Sequence, residues 1–333
     1  MSSKSRENIR AIDLFCGAGG SSYGARNAGA EIVAGFDIWE TALKTYQANF
    51  PNAKIFPGDL RILTSRAIKK IKSITGDIDL ILASPECTNH SKAKGGAERS
   101  EESRKTAFEV IRFARVYKPR WIIIENVVEM QSWHGYRRLI ESLKNLGYAV
   151  EEIILNSKNF GVPQSRERLF IVCYPPEEII SPEFEFQPLT PVSTVIEPNG
   201  KYSFTSLKKS GRAKKTIDAA ERAIADLGDE TPFLLVYYGS GRNGNGGWQP
   251  IDQPIGTITT LDRFAYVVPG NNGHMMRMLQ PEELKLAMGF GAEFKLGEIE
   301  GLTRRSRIKL MGNGVCPPVM EAIVRSLMEN GKG

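Results

Sequence analysis

Cysteine, histidine and long apolar runs are scarce in this chain, and each scarcity excludes a class of protein. The 333 residues include four cysteines and three histidines, which are scattered and form no C-x-x-C pair. We therefore expect neither a disulfide framework nor a metal site. No apolar run approaches about 18 residues, so no membrane span is expected. The first residues, MSSKSRENIRAIDLF, lack the basic-then-apolar layout of a secretory signal. These absences favour a protein of the reducing cytoplasm.

The charge balance is moderately basic. The net charge is +6 and the pI is about 9.0, which fits a polyanionic partner but also many ordinary soluble proteins. The distribution says more than the total, because the stretch LKKSGRAKKT carries five cations and no acid. These cations are Lys208, Lys209, Arg212, Lys214 and Lys215.

Strand-like and helix-like segments alternate through the first half of the chain. RAIDLF, AEIVAGFDI, IDLILAS and RWIIIEN read as strands with helical patterns between them, and YAVEEIIL and RLFIVCY add two more. This alternation predicts an α/β fold with a Rossmann-like, mostly parallel sheet and helices on both faces. After Tyr174 the pattern breaks into Pro-rich, basic and Gly-rich stretches. We expect a first domain over residues 1–175, a smaller irregular domain over 176–275, and a return over 276–333 whose helix packs on the first part.

The stretch DLFCGAGGSS places a glycine turn between the first strand and a helix. Gly17 and Gly19 form G-x-G, but Ser22 stands where the dinucleotide fingerprint has its third glycine. Asp37 and Asp59 follow the next two strand-like segments, where open α/β sheets bind ligands. Each residue alone is equally explained as a tight turn or a helix cap. Together they favour an adenosine-bearing cofactor.

Three further elements carry candidate chemistry. Cys87 lies just past an apolar strand, in a polar loop, although cysteine usually prefers the core. Glu125 ends an apolar strand, where burial would raise the pKa of its carboxyl and suit it to donate a proton; pairing with Lys or Arg is the alternative. Arg166 and Arg168 point the same way if the next strand extends back over them. Such an arginine binds a base oxygen or a phosphate, or caps a carboxylate.

The set of motifs and its order resemble the DNA (cytosine-5)-methyltransferases, which use S-adenosylmethionine. Six stretches match family motifs in the family's order and bracket nearly the whole chain: DLFCGAGG, SPECTNHS, ENV, PQSRERLF, RMLQPEELKLAMGF and MGNGVCPP. The resemblance implies transfer of a methyl group to C5 of a cytosine in duplex DNA, within a short recognition sequence, after the base has flipped out of the helix.

The resemblance also implies the catalytic roles. Cys87 matches the nucleophile that adds to C6 of the base, and Glu125 matches the acid that meets N3. Arg168 matches the group that binds O2, with Arg166 assisting through the loop or a phosphate. The base that removes the C5 proton is not identified.

The cofactor contacts carried over from the family involve eleven positions. They are Phe15, Gly17, Gly19, Asp37, Ile38, Trp39, Asp59, Leu60, Pro85, Asn313 and Val315. In this reading Asp37 binds the ribose and Asp59 the adenine amine of S-adenosylmethionine.

Residues 176–275 then become the target-recognition domain, whose lysines contact phosphates and whose glycine-rich loop reads base edges. The residues expected to contact DNA are Ser91, Lys92, Gln164, Lys208, Lys209, Arg212, Lys214, Lys215, Arg242, Asn243 and Asn245. We expect double-stranded DNA as the partner, a cognate restriction endonuclease that is not a stable subunit, and a monomer.

One departure from the family and three alternatives remain. The family's Pro-Pro-Cys-Gln is here Pro-Glu-Cys-Thr, and the acid at Glu86 discourages thiolate formation at its neighbour. Methylation of RNA, a catalytically silent DNA-binding relative and an NAD-dependent oxidoreductase are the alternatives. The missing third glycine argues against the last.

Overall fold

The structure, a computed structural model, describes residues 9–85, 105–178, 184–198, 200–238, 247–297 and 299–330. The chain divides into two units. The first contains Met1–Asn156, Glu167–Phe186 and Gly314–Gly333, and the second contains Ser157–Arg166 and Gln187–Asn313.

A seven-stranded sheet forms the centre of the first unit. Its strands are β1 (Arg10–Leu14), β2 (Glu31–Asp37), β3 (Lys54–Pro57), β4 (Leu80–Ala83), β5 (Trp121–Asn126), β6 (Ala149–Asn156) and β7 (Glu167–Tyr174). The order is β3-β2-β1-β4-β5-β7-β6, in which β1 to β5 are parallel and β7 is antiparallel to both neighbours. Strands β4 and β5 are buried along their whole length, as expected for apolar parallel strands covered on both faces.

Helices cover this sheet. They are α1 (Gly20–Asn27), α2 (Glu40–Asn49), α3 (Ser65–Thr75), α4 (Glu109–Tyr117), α5 (Tyr136–Lys144) and, near the end of the chain, α9 (Pro317–Asn330). The apolar sides of α3, α4 and α5 enter one core with the sheet, through residues such as Ile68, Val110 and Leu139. Helix α9 packs closely on α1 because Gly24 has no side chain: a Cβ built there would lie 2.3 Å from the Pro317 carbonyl oxygen.

The second unit contains a five-stranded antiparallel sheet. Its strands are β8 (Thr205–Ser206), β9 (Phe233–Val236), β10 (Trp248–Pro250), β11 (Phe264–Val268) and β12 (Met275–Met278), in the order β10-β9-β11-β12-β8. Its helices are α6 (Lys214–Leu227), α7 (Pro281–Ala287) and α8 (Arg304–Asn313). Ala219, Ala220 and Ala223 of α6 pack against the apolar side of this sheet.

The predicted α/β fold with a mostly parallel sheet is confirmed. The two units differ from the predicted domain limits, because residues 276–313 belong to the second unit and the chain returns to the first at Gly314. The physical reason is strand pairing, since β12 hydrogen-bonds β11 and β8. Within the described residues, no helix is both long and apolar enough to cross a membrane.

Candidate active site

The predicted site residues of the first unit gather at one edge of its sheet. Parallel strands β1 to β5 all end at this edge, and antiparallel β7 begins there. Asp37 ends β2, Glu125 and Asn126 end β5, and Arg168 lies at the start of β7. Ligands of open α/β sheets bind at this end of the strands.

The glycine turn after β1 is fixed by hydrogen bonds to β2. The backbone N–H of Gly17 donates to Asp37 Oδ2 at 2.8 Å, and the N–H of Trp39 donates to Asp37 Oδ1 at 2.8 Å. Gly17 has a φ of 53°, and a Cβ built on it meets no protein atom within 4 Å. A Cβ on Gly20 would instead lie 2.3 Å from the Val315 carbonyl oxygen. The backbone is therefore packed against the protein at Gly20, whereas at Gly17 there is open space beside it.

Sequence reasoning missed a buried polar network beneath this turn. Asp13 on β1 is fully buried and accepts a hydrogen bond from the Ser22 hydroxyl at 2.7 Å. The Ser22 hydroxyl is also 2.8 Å from the Tyr46 hydroxyl. Burial raises the pKa of Asp13 to about 7 and raises the pKa of the Cys16 thiol as well. Ser22, which stands at the third position of the glycine fingerprint, thus holds the buried acid in place.

The segment after β3 presents a paired acid and an exposed apolar side chain. Arg61 donates from Nη2 to Asp59 Oδ2 at 2.6 Å, and this hydrogen bonding lowers the pKa of Asp59. Leu60 is buried, whereas Ile62 is 77% exposed and Ile38, just past β2, is 63% exposed. The ends of β2 and β3 therefore present exposed apolar side chains beside carboxylates. Such a surface can pack against an adenine ring and accept hydrogen bonds from the polar groups of an adenosine.

Glu125 and Arg168 form an ion pair at the same edge. The distance from Arg168 Nε to Glu125 Oε1 is 3.2 Å, and both side chains are largely buried. The pairing follows from the antiparallel register, in which Glu125 is opposite Phe170. The sequence left open whether Glu125 pairs with a cation, and the structure shows that it pairs with Arg168.

Asn126 is a second residue that sequence reasoning missed. Its Nδ2 donates to the carbonyl oxygen of Pro85 at 3.1 Å, and its Oδ1 accepts from the Val127 N–H at 2.9 Å. The ENV motif therefore fixes the backbone two residues before Cys87.

Six predicted site residues lie outside the described residues and remain predictions: Cys87, Ser91, Lys92, Arg242, Asn243 and Asn245.

Gln164 and Arg166 belong to the second unit and are buried. Arg166 donates to the carbonyl oxygens of Ile258 at 2.9 Å and Gly312 at 2.8 Å. Gln164 Oε1 accepts from the Ile258 N–H at 2.8 Å. Because β7 begins at Glu167, the strand does not extend back over Arg166. These contacts indicate that both side chains hold backbone segments together, and burial argues against the expected direct contact of Gln164 with DNA.

Four of the five cations in the basic stretch of the second unit are exposed. Lys209, Lys214 and Lys215 are exposed, and Lys208 pairs with Glu221 at 3.2 Å. The fifth cation, Arg212, donates from Nη2 to the Thr205 hydroxyl at 3.0 Å and the Ser206 carbonyl at 3.2 Å, so it braces β8. Asn313 is exposed at the end of α8.

Comparison with known proteins finds similarity along the chain. Residues 9–329 match the family described as C-5 cytosine-specific DNA methylase. The type II methyltransferase M.DdeI of Desulfomicrobium norvegicum is 31% identical over 218 residues, covering 63% of this chain and 49% of that protein. The chain thus spans about half the length of M.DdeI. The type II methyltransferase M.HpaII of Haemophilus parainfluenzae is 28% identical over 346 residues, covering 97% and 90%.

A solved structure shares the fold. The methyltransferase EhMeth of Entamoeba histolytica superposes with a TM-score of 0.71 at 19% sequence identity, over 98% of this chain and 100% of that one. At this identity the likeness concerns the fold alone.

Proposed function

Because the chain belongs to the C-5 cytosine-specific DNA methylases, we propose that it transfers a methyl group from S-adenosylmethionine to C5 of a cytosine in duplex DNA, within a short recognition sequence. The observation that carries this proposal is the Glu125–Arg168 pair at the sheet edge that also bears the glycine turn. A carboxyl and a guanidinium there match the hydrogen-bonding edge of a cytosine, which presents an amine, N3 and O2.

The residues of this edge fit the cofactor. S-adenosylmethionine supplies a methyl group on a positively charged sulfur. Gly17, which has open space where a Cβ would lie, would hold its methionine end. Asp37, which accepts hydrogen bonds from the Gly17 and Trp39 N–H groups, would also accept from the ribose hydroxyls. The exposed Ile38 and Ile62 would line the adenine, and Asp59 would accept a hydrogen bond from its amine. Phe15, Gly19, Trp39, Leu60, Pro85, Asn313 and Val315 remain predicted contacts.

Cys87 supplies the nucleophile in this proposal. Its thiolate forms a bond to C6 of the flipped base, which moves the ring π electrons toward N3 and leaves a C4–C5 double bond. That electron pair then attacks the methyl group, whose bond to sulfur breaks with its electron pair left on the sulfur. Glu125 gives a proton to N3 as negative charge develops there. Arg168 exchanges its contact with Glu125 for O2 of the base. A base then takes the C5 proton, the C5–C6 double bond re-forms, the Cys87 thiolate leaves, and the proton on N3 returns to Glu125.

The exposed lysines of the second unit would hold DNA phosphates, a contact that gives affinity without sequence information. Arg242, Asn243 and Asn245 are the proposed readers of base edges. M.DdeI and M.HpaII are type II methyltransferases, which supports a modification role beside a separate restriction endonuclease. We propose that the enzyme acts as a monomer in the cytoplasm.

The test is transfer of label from S-adenosylmethionine to unmethylated genomic DNA, run beside Cys87→Ala and a tRNA substrate. We expect label in DNA, lost at least about 10³-fold in Cys87→Ala. Bisulfite sequencing of the product then gives the recognition sequence. Label in tRNA alone would replace DNA by RNA as the substrate, and no label in either would favour the silent DNA-binding relative.

A further inference from the structure

The helices α3 and α4 carry a concentration of positive charge that the proposed reaction does not use. Residues 61–79 and 105–120 contain ten lysines and arginines but only three acidic residues. That excess is larger than the net charge of +6 of the whole chain. The remainder of the chain is therefore close to neutral.

The two helices form one continuous surface. The Lys72 ammonium on α3 is 3.4 Å from the carbonyl oxygens of Val116 and Tyr117 at the end of α4. The Thr75 and Tyr117 hydroxyls are 2.8 Å apart. Because the apolar sides of both helices enter the same core, their polar sides face outward together.

Five exposed cations on this surface have no ion pair or side-chain hydrogen bond to any described residue. They are Arg66, Lys69, Lys70, Arg115 and Lys118, which we call the α3–α4 basic face. The nearby acids already have partners: Asp77 pairs with Lys72, Glu109 with Arg112, and Asp59 with Arg61.

This arrangement of like charges is unfavourable in the free protein. Arg66 lies three and four residues before Lys69 and Lys70, so the three side chains are neighbours on one side of α3. Like charges at this spacing destabilise a helix by a few tenths of a kcal/mol per pair. A polyanion bound there removes the repulsion.

The α3–α4 basic face begins at the edge of the sheet where Asp37 and Glu125 end their strands. Helices α3 and α4 follow β3 and β4, which end at that edge. Arg112 on α4 donates to the carbonyl oxygens of Leu60 and Arg61, at 3.3 and 3.4 Å, and so contacts the proposed cofactor segment directly. From there α3 runs about 16 Å, the length of about five base pairs of B-DNA. Under the proposed function, the polyanion that reaches this edge is the DNA substrate.

We propose that the α3–α4 basic face binds the phosphate backbone of duplex DNA outside the recognition sequence. It is a second, sequence-independent DNA-binding surface, separate from the lysines of the second unit. The inference rests on the proposed function in that it takes duplex DNA as the substrate. Its effect is to raise the affinity for long DNA without changing the chemical step.

The test compares two variants that remove the same charge from different helices. Arg66→Gln/Lys69→Gln/Lys70→Gln changes the basic face, and Arg137→Gln/Arg138→Gln/Lys144→Gln changes the exposed side of α5. The probe is a fluorescein-labelled 40-base-pair duplex, with affinity measured by fluorescence anisotropy between 50 and 200 mM salt (about the range over which phosphate contacts are lost).

For the basic-face variant we expect the slope of log Kd against log salt to fall by about 2 to 3, since each phosphate contact contributes about 0.9. Affinity at the lowest salt should fall at least about tenfold. With genomic DNA as substrate, KM should rise by a similar factor while kcat stays unchanged. The α5 variant should keep the wild-type slope, and both variants should bind S-adenosylmethionine with unchanged Kd in calorimetry.

An unchanged slope in the basic-face variant overturns the proposal, and so does an equal fall in both variants, which would reflect total charge only. A fall seen with labelled tRNA but not with the duplex would also overturn it, in favour of RNA. The slope of log Kd against log salt is measured by binding alone and requires no catalytic turnover. A wild-type enzyme that methylates no DNA therefore counts against the proposed function alone, and a retained slope counts against this surface alone.

Discussion

The first unit buries apolar strands within its sheet, whereas the second buries a charged pair between the short strand β12 and helix α7. In β5, Ile122, Ile123 and Ile124 are fully buried. In the second unit, Arg277 and Glu283 are almost completely buried and 2.7 Å apart. The rings of Tyr202, Phe204 and Tyr266 surround that guanidinium at 5.2 to 5.4 Å. The first unit is thus stabilised mainly by area removed from water, and the second depends on the completeness of particular polar contacts.

The largest expected effect breaks this buried pair. Arg277→Leu leaves the Glu283 carboxylate buried without its arginine, and we expect the free energy of unfolding to fall by about 3 to 5 kcal/mol in urea denaturation. The matched control is Arg137→Leu, which breaks the exposed pair with Glu141 and should cost about 0 to 1 kcal/mol. Equal losses would mean that the second unit does not depend on its buried charges.

The next effect concerns the one buried acid of β1. The pKa of Asp13 is raised from 3.8 to about 7 by burial. Between these values the unfolded chain releases this proton and the folded chain keeps it, so the free energy of unfolding falls as pH rises to about 7 and is then constant. Asp13→Asn lacks this dependence, so its stability relative to wild type should increase from pH 5 to pH 8 in thermal unfolding. The exposed Asp226→Asn is the matched substitution. Parallel profiles for wild type and Asp13→Asn would contradict the prediction.

The smallest effect tests whether the glycine turn serves a ligand or only the fold. The Cβ added by Gly17→Ala meets no protein atom within 4 Å. The residue keeps a φ of 53°, which lowers the free energy of unfolding by about 1 to 2 kcal/mol. Affinity for S-adenosylmethionine in calorimetry should fall at least about tenfold, because the methyl group occupies the ligand's approach. Gly147→Ala has the same open space and a φ of 97°, so it should cost similar stability and leave the affinity unchanged. Equal affinities in the two variants would remove Gly17 from the cofactor site.

The sequence predicted the parts of the molecule that local patterns determine. Strands β4 and β5 are continuous apolar runs, and the glycine turn follows β1 directly, so neighbouring residues carry the signal. The sequence left open whether Glu125 pairs with an arginine, because the answer depends on the direction of β7, which no local pattern sets.

The second unit was less predictable because its determinants lie far apart in the chain. Arg166 bonds to carbonyls 92 and 146 residues away, and the sequence showed only a basic residue ahead of a strand. Helix α6 begins within the basic stretch, at Lys214, without a side-chain cap hydrogen bond, so the usual start signal was missing. The charge of that stretch was visible, but its secondary structure was not.

The close contact of α9 with α1 has a consequence for the order in which the chain folds. Val315 lies against Gly20, Pro317 against Gly24, and Arg325 donates to the Asn27 carbonyl oxygen at 2.8 Å. The helix that follows the glycine turn therefore receives its packing partner only after almost 300 more residues have left the ribosome. Domains usually fold as they emerge, amino-terminal part first. In this chain α1 waits for α9, so the packing around the glycine turn is complete only after α9 has been made.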